Sequence, residues 1–375
     1  MTQRNTPPFR ADHVGSLLRP RRLLDARKQC QEGAMGAEEL RRVEDQCIAE
    51  VVKLQQDLGL RGITDGEFRR TNWSSDFLTA IDGVEFGQGK VRARFHRADG
   101  TDLERNLTSL AVTGKMSRPQ GIQTEDFAYL KSVVTGGMAK LSIPSPSMLH
   151  FRGGRDAIDA AAYPDMEDFF ADLTAIYNAE ILDLASLGAR YVQFDDTNFA
   201  YLCDPKLRAA ATKAGHDPDA LPRLYCRLIN DSIRGRPDDM AVCVHMCREN
   251  FKSAWIAEGG YEPVAEVLFN ELEVDGIFME YDDQRSGDFA PLRFLPPGKI
   301  VVLGIVTTKQ GRLEAKDDLK HRVDEAARYA PMEQLAISPQ CGFSSTVEGN
   351  ELSIDDEIAK LRLVVETACE IWPDG

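Results

Sequence analysis

Residues 191–195 read YVQFD, 241–245 AVCVH, 276–280 GIFME and 300–304 IVVLG. Each is a short run rich in β-branched and apolar side chains, too short for a helix and set off by glycine, aspartate or proline. Near-continuous apolar runs of this kind suit strands buried on both faces, as in a parallel sheet covered by helices. Working outward, similar runs stand at 11–15, 62–65, 140–143 and 334–338. Helical patterns lie between them. The stretch 40–59 (LRRVEDQCIAEVVKLQQDLG) has apolar residues three and four apart and ends on a glycine, and 166–188 and 355–372 show similar periodicity. Strands alternating with helices predict an α/β chain whose simplest closure is a (β/α)8 TIM barrel, one domain over 1–375. The rhythm breaks at about 83–137, where alternating segments such as 90–96 (KVRARFH) and 111–116 flank an Ala98-Asp99-Gly100 turn. This reads as a β-hairpin excursion after the second strand, serving as a homodimer contact, a lid or plain surface elaboration.

The chain carries a net charge of −15. Nucleic acid and anionic membrane both require a basic face, so neither is expected as a partner. No run approaches the roughly 18 apolar residues needed to span a bilayer, and 1–10 is polar rather than a secretory signal. Cysteines number eight and are scattered. A cytoplasmic, reducing setting follows as the expectation, with thiols in the core or on a metal rather than in disulfides.

Reactive groups in such barrels gather at the C-terminal ends of the strands. The fifth expected strand ends in His245-Met246-Cys247, and residues two apart on a strand face the same way. The sixth ends on Glu280, and the eighth runs into Gln340-Cys341-Gly342. One imidazole, two soft thiolates and a carboxylate make a four-donor set suited to Zn2+. Cys30, Cys47, Cys203, Cys226, Cys243 and Cys369 read as structural.

These motifs, with Val14-Gly15-Ser16, Asp65-Gly66-Glu67-Phe68 and Gln193-Phe194-Asp195-Asp196, make the chain resemble the cobalamin-independent methionine synthases over almost its whole length, in their catalytic barrel. The resemblance implies His245, Cys247, Glu280 and Cys341 as zinc ligands. It places Gly15, Ser16, Glu67 and Asp195 around an amino-acid thiol, the two carboxylates suiting an ammonium. It further implies that zinc holds the acceptor sulfur as a nucleophilic thiolate, homocysteine becoming methionine with a methyltetrahydrofolate-type donor.

The chain departs from that pattern on the donor side. These 375 residues are expected to form one barrel, where full-length folate-using synthases carry a second, N-terminal one. At the seventh strand end, Thr307 and Lys309 replace an expected Asp and His, so Lys309 reads as a proton donor, an anion anchor or a surface lysine. The segment 143–148 (IPSPSM) also differs. Alternative readings are therefore alkyl transfer to another thiol, as in epoxyalkane:coenzyme M transferases or methylcobalamin:thiol methyltransferases, and a non-catalytic zinc protein. In either enzyme reading the partners are a small-molecule thiol and an alkyl donor. Arg19, Arg69, Arg70 and Arg152 are candidates for holding substrate carboxylates, His13 and His150 for carrying protons, and Trp73 and Phe343 for a flat wall. His321 shows no ligand spacing, and Asp196 is expected to face away from Asp195.

Overall fold

The computed structural model describes residues 4–373, the side chains of 88–92 and 107–108 excepted. The first three residues of the polar N-terminal stretch, and part of the KVRARFH segment's side chains, lie outside the described residues. The described strands are β1 (Gly62–Ile63), β2 (Asp82–His96), β3 (Asp102–Ser117), β4 (Met138–Ala139), β5 (Leu141–Pro144), β6 (Tyr191–Asp196), β7 (Ala241–Met246), β8 (Gly276–Glu280), β9 (Ile300–Val306) and β10 (Leu335–Pro339).

Strands β5 to β10 form one sheet in chain order, each parallel to the next. Every residue in them is buried, which explains the unbroken apolar runs. Alternation then sorts the side chains. Tyr191, Cys243, Phe278, Val302 and Ala336 pack together in an inner cluster, while Val192, Val244, Ile277, Val301 and Ile337 pack into the cluster shared with the helices. The inner set continues along each strand to Asp195, His245 and Glu280, so the sheet's own period delivers those groups to one rim.

The helices follow their sequence signals. Ala37–Asp57 buries Cys47, Ile48, Val51, Val52 and Gln55 on one face and carries Glu38 and Glu39 at its positive end. Met166–Ser186 starts where the Asp165 side chain accepts from Glu167 N, and Ile354–Ile371 starts on a Ser353–Asp356 capping box. Among the described residues no helix is long and apolar enough to cross a membrane.

The expected closed barrel is not what the ladders form. Segment 11–15 is not a strand: it meets the sheet in a single bridge, Ala11 to Ile337. The Asp12 carboxylate captures local donors, accepting from Phe9 N at 3.1 Å and His13 N at 2.8 Å. Gly15 lies at φ 144°, outside the strand region. Contact with the next segment runs through isolated bonds, Thr64 Oγ1 to Gly15 O at 2.7 Å and Leu17 N to Gly66 O at 3.1 Å. The third expected strand, 140–143, is found as β5, pairing to β6, while β4, just before Lys140, pairs to β1. Lys140 is buried beside Asp12, its Nζ 3.0 Å from Oδ1 and near the Tyr191 and Phe278 rings. That ion pair ties segment 11–15 to the sheet where a ladder is missing.

The excursion is a hairpin, β2 antiparallel to β3, while Thr124–Val133 within 83–137 is a helix. The hairpin lies on the chain's own loops. His96 bridges Trp255 and Val112 bridges Ile158; Ala93 and Phe95 pack on Phe251 and Ala254. It therefore covers the rim at which β7 ends.

One buried acid makes fold stability depend on pH. Glu357 accepts from Leu18 N at 2.7 Å, and burial pushes its carboxyl from 4.5 up to about 8. The folded state thus retains a proton that the unfolded chain has released. The stability this proton contributes is complete below about pH 4.5 and is lost as pH rises to about 8. Glu357→Gln, which keeps the acceptor, is expected to flatten this slope and to stabilise the protein at pH 8 by on the order of a few kcal/mol. Denaturant titrations across pH check it, and parallel slopes for both proteins would refute it.

Candidate metal centre

His245 is the fifth residue of β7, Cys247 follows that strand, Glu280 ends β8, and Cys341 lies two residues past β10. Their donor atoms all lie within 4.8 Å of one another and all four residues are buried. The two Sγ atoms are 3.5 Å apart. Neither ring nitrogen of His245 has a hydrogen-bond partner, although a buried imidazole nitrogen ordinarily has one. Two unpartnered nitrogens beside two thiols and a carboxylate are what a metal-binding cluster presents, and the four sequence-predicted ligands are brought together.

The surroundings favour the anionic forms of Cys341 and Glu280 but not that of Cys247. The Cys247 thiol against Cys341 is the main cause of a Cys341 pKa near 5, opposed by burial and assisted by His245. The same contact, with burial, pushes Cys247 well up. Burial works against a charged Glu280, yet Lys309, Arg285 and His245 hold its carboxyl below the usual range. Arg248 N donates to Glu280 Oε1 at 2.7 Å and Arg285 Nη2 to Oε2 at 3.2 Å.

Beside this cluster lies a second acidic feature. Asp195 is the register neighbour of His245 and takes Gln193 Nε2 at 2.7 Å. Burial above all pushes Asp195 up to about 7; His245 pulls it down and the Glu67 charge raises it further. Glu67, also raised chiefly by burial, accepts from Ser142 Oγ at 2.7 Å and lies 3.7 Å from Arg70 Nη1. Its backbone is left-handed at φ 60°, a costly state for a side-chain-bearing residue. A Cβ on Gly15 would lie 3.4 Å from Glu67 Oε1. Ser16 meets the Cys341 loop, its carbonyl accepting from Phe343 N at 2.9 Å. Gly15 thus adjoins Glu67, Glu67 and Asp195 act on each other's charge, and Ser16 adjoins the loop that carries Cys341.

Sequence reading gathered these groups and misplaced others. Lys309 is buried, not a surface residue, with Nζ 3.3 Å from Asn250 Oδ1. His13 bonds Gly62 O at 3.0 Å on the Lys140 side of the interior, and His150 pairs with Tyr225 OH at 3.1 Å. Neither is placed to carry protons at the cluster. His321 is exposed beside Glu325. Arg19 is committed to carbonyls of Glu67, Arg70 and Ser344, and Arg69 to Asp45 and Asp126. Phe343 packs in a core cluster, whereas Trp73 lines a cavity. Asp196 caps Asn198–Tyr201 through the amides of Asn198 and Phe199, as its facing predicts. Ser142, Asn250, Glu249 and Arg285 were missed. Alternation along 140–143 pointed Ser142 inward; Glu249 and Asn250 lie in a loop and Arg285 in a three-residue 3-10 turn, none with a pattern.

A family profile described as cobalamin-independent synthase, catalytic domain, matches residues 9–369. The chain belongs to the cobalamin-independent methionine synthase family. It is 44% identical over 372 residues to YxjG of Bacillus subtilis, covering 99% of this chain and 96% of that protein. It is 25% identical to a methionine synthase of Pyrococcus abyssi, over 88% of this chain and 85% of the relative. A Listeria monocytogenes structure assigned as a vitamin-B12 independent methionine synthase superposes with a TM-score of 0.79 at 38% identity, covering 98% and 99% of the two chains. As a member of this family the protein is a methyltransferase.

The cluster makes a direct prediction. Purified protein is expected to bind about one thiophilic divalent ion per chain, and Cys341→Ser to lose more than tenfold in metal affinity. Elemental analysis with chelator competition measures both; full metal retention by Cys341→Ser would remove that residue from the ligand set.

Proposed function

We propose that the protein is a zinc-dependent thiol S-methyltransferase acting on an amino-acid thiol, homocysteine in the first instance, in one (β/α)8-type domain whose weak seams lie at 11–15 and 62–66. The observation that carries this reading is the register of β6 on β7. It sets Asp195 beside His245 of the buried donor cluster, and Glu67 lies near enough for its charge to raise the Asp195 carboxyl. When bound there, zinc supplies the positive charge that keeps an acceptor thiol as a thiolate near neutral pH.

The chain's own groups supply selection and orientation. Glu67 and Asp195 present two buried oxygen acceptors to an ammonium, and Arg70 offsets part of their charge. Gly15 lets the backbone approach Glu67, and Ser16 stands between that approach and the Cys341 loop. Lys309, held by Asn250, faces Glu280 and steadies its charge. A sulfonate thiol such as coenzyme M would meet two carboxylates at this pocket, so an amine-bearing acceptor is favoured over the epoxyalkane:coenzyme M alternative. Partial enclosure of the rim by the hairpin favours a working site over a merely structural ion.

Asp195→Asn is expected to raise KM for homocysteine at least tenfold, a loss of about 1.4 kcal/mol or more, while changing KM for a thiol without the amine less than twofold. Initial rates with the two acceptors, read by mass detection of the thioether, decide it. Equal losses would show that Asp195 does not read the ammonium.

A further inference from the structure

Between the hairpin and the rim lies a cavity of about 210 Å3, lined by Trp73, Phe95, Arg105, Arg152, Glu249 and Phe251 among others. Its floor belongs to the metal cluster's own loops. Asn250, which also lines it, stands three residues beyond Cys247, and its Nδ2 donates at 2.8 Å to the carbonyl of Gly342, next to Cys341. We infer that this cavity receives the methyl donor as a small zwitterionic onium, a carboxylate-bearing methylsulfonium or quaternary methylammonium. The inference rests on the methyltransferase reading and names its second substrate.

Size is the first reason. Sites for drug-sized ligands run to about 300–1,000 Å3; this one is smaller, and a corrin or a pterin with its aminobenzoyl-glutamate tail exceeds it.

Charge and shape are the second. Ring faces attract an onium, and Trp73 and Phe95 offer them; Phe251 already carries Arg105, stacked at 4.0 Å. Among the described residues, the charged ones lining the cavity are Arg105, Arg152 and Glu249. Glu249 is buried, with left-handed backbone at φ 71°, and its Oε1 accepts from Arg152 Nη2 and, at 2.8 Å, from Tyr201 OH. Arg105 comes no nearer than 3.8 Å to Glu348 in its ion pair. Glu249 answers Arg152, whereas Arg105 meets Glu348 only at 3.8 Å and is the guanidinium placed to meet an incoming carboxylate, while the rings suit the onium end of the same molecule.

The leaving group is the third reason. The acceptor thiolate forms the new S–CH3 bond as the carbon–sulfonium or carbon–ammonium bond breaks. The electron pair stays on the departing atom, which leaves as a neutral thioether or tertiary amine and needs no proton. Among the described residues lining the cavity there is no histidine, lysine or aspartate, and Glu249 is committed to Arg152. A folate nitrogen would need a proton here.

The test gives zinc-replete full-length protein homocysteine with, in separate arms, S-methylmethionine, glycine betaine, 5-methyltetrahydrofolate as mono- and triglutamate, and methylcobalamin, each carrying a deuterated methyl. Labelled methionine at least tenfold faster from an onium than from the folates or cobalamin is expected. Trp73→Leu, and Arg105→Gln should that variant not fold, are expected to raise donor KM at least tenfold with homocysteine KM within twofold. Transfer from folate or cobalamin alone overturns the onium donor and leaves the methyltransferase standing. If no donor turns over, methyltransfer itself is in question and binding decides the cavity. Saturable quenching by an onium that is lost in Trp73→Leu supports it; unchanged fluorescence overturns it.

Discussion

Two thiols, an imidazole and a carboxylate buried within 4.8 Å of one another cannot be a neutral accident of packing. Removing charge from water costs several kcal/mol per ion unless a partner is present, and the Glu67–Asp195 pair adds two more buried acids next door. Much of the nearby polar architecture answers that excess. Arg285 reaches Glu280 and Asp282, Lys309 lies close enough to lower Glu280, and Arg70 sits between Glu67 and the carbonyl of Ser142. These cations offset the charge only in part. On the proposed reading, a bound metal and a substrate ammonium complete the balance, which would tie the stability of the rim to its occupancy.

The site is assembled by two kinds of structure. His245, Glu280 and Asp195 come from strand ends whose positions are set by parallel ladders, so their spacing is rigid. The cavity beyond them comes from the hairpin and the 247–257 loop, where Glu249, Lys252 and Ser253 all have left-handed backbone. Backbone held in that region costs of order 1–3 kcal/mol per residue and persists only when its surroundings impose it; here Phe95 and Trp255 contacts from the hairpin do so. On the proposed reading, acceptor chemistry is built on the sheet and donor selection on the hairpin and this loop.

The same division governs what could be read from the residues. β6 to β9 were legible because strands buried on both faces leave unbroken apolar runs, and the ligands because thiols, imidazole and carboxylate at strand ends are chemically rare company. The hairpin was legible from its alternation and turn. Segment 11–15 was misread because Asp12 satisfies nearby amides with its own side chain, an event invisible to hydrophobic pattern. The third strand, read as 140–143, is found as Leu141–Pro144, whereas the two-residue strand before Lys140 was too short to leave a pattern. His13 and His150 looked close to the chemistry along the chain but project elsewhere. Glu249, Asn250 and Arg285 gave no signal, since a loop residue's role depends on partners up to 97 positions away, as with Arg152 and Glu249.

Opposite ends of the interior handle charge in opposite ways. On one side Asp12 and Lys140 form a closed pair, both fully buried, with Tyr191 OH adding a bond of 2.8 Å to the same carboxylate. Removing either partner of such a pair strands the other and costs about 3–5 kcal/mol, so this pair suits the seam that lacks a ladder. At the rim the charges are left incompletely matched. Reversing the arrangement would fail on both counts: an open charge at the seam would loosen the sheet, and a closed pair at the rim would leave nothing for a metal or an ammonium to complete.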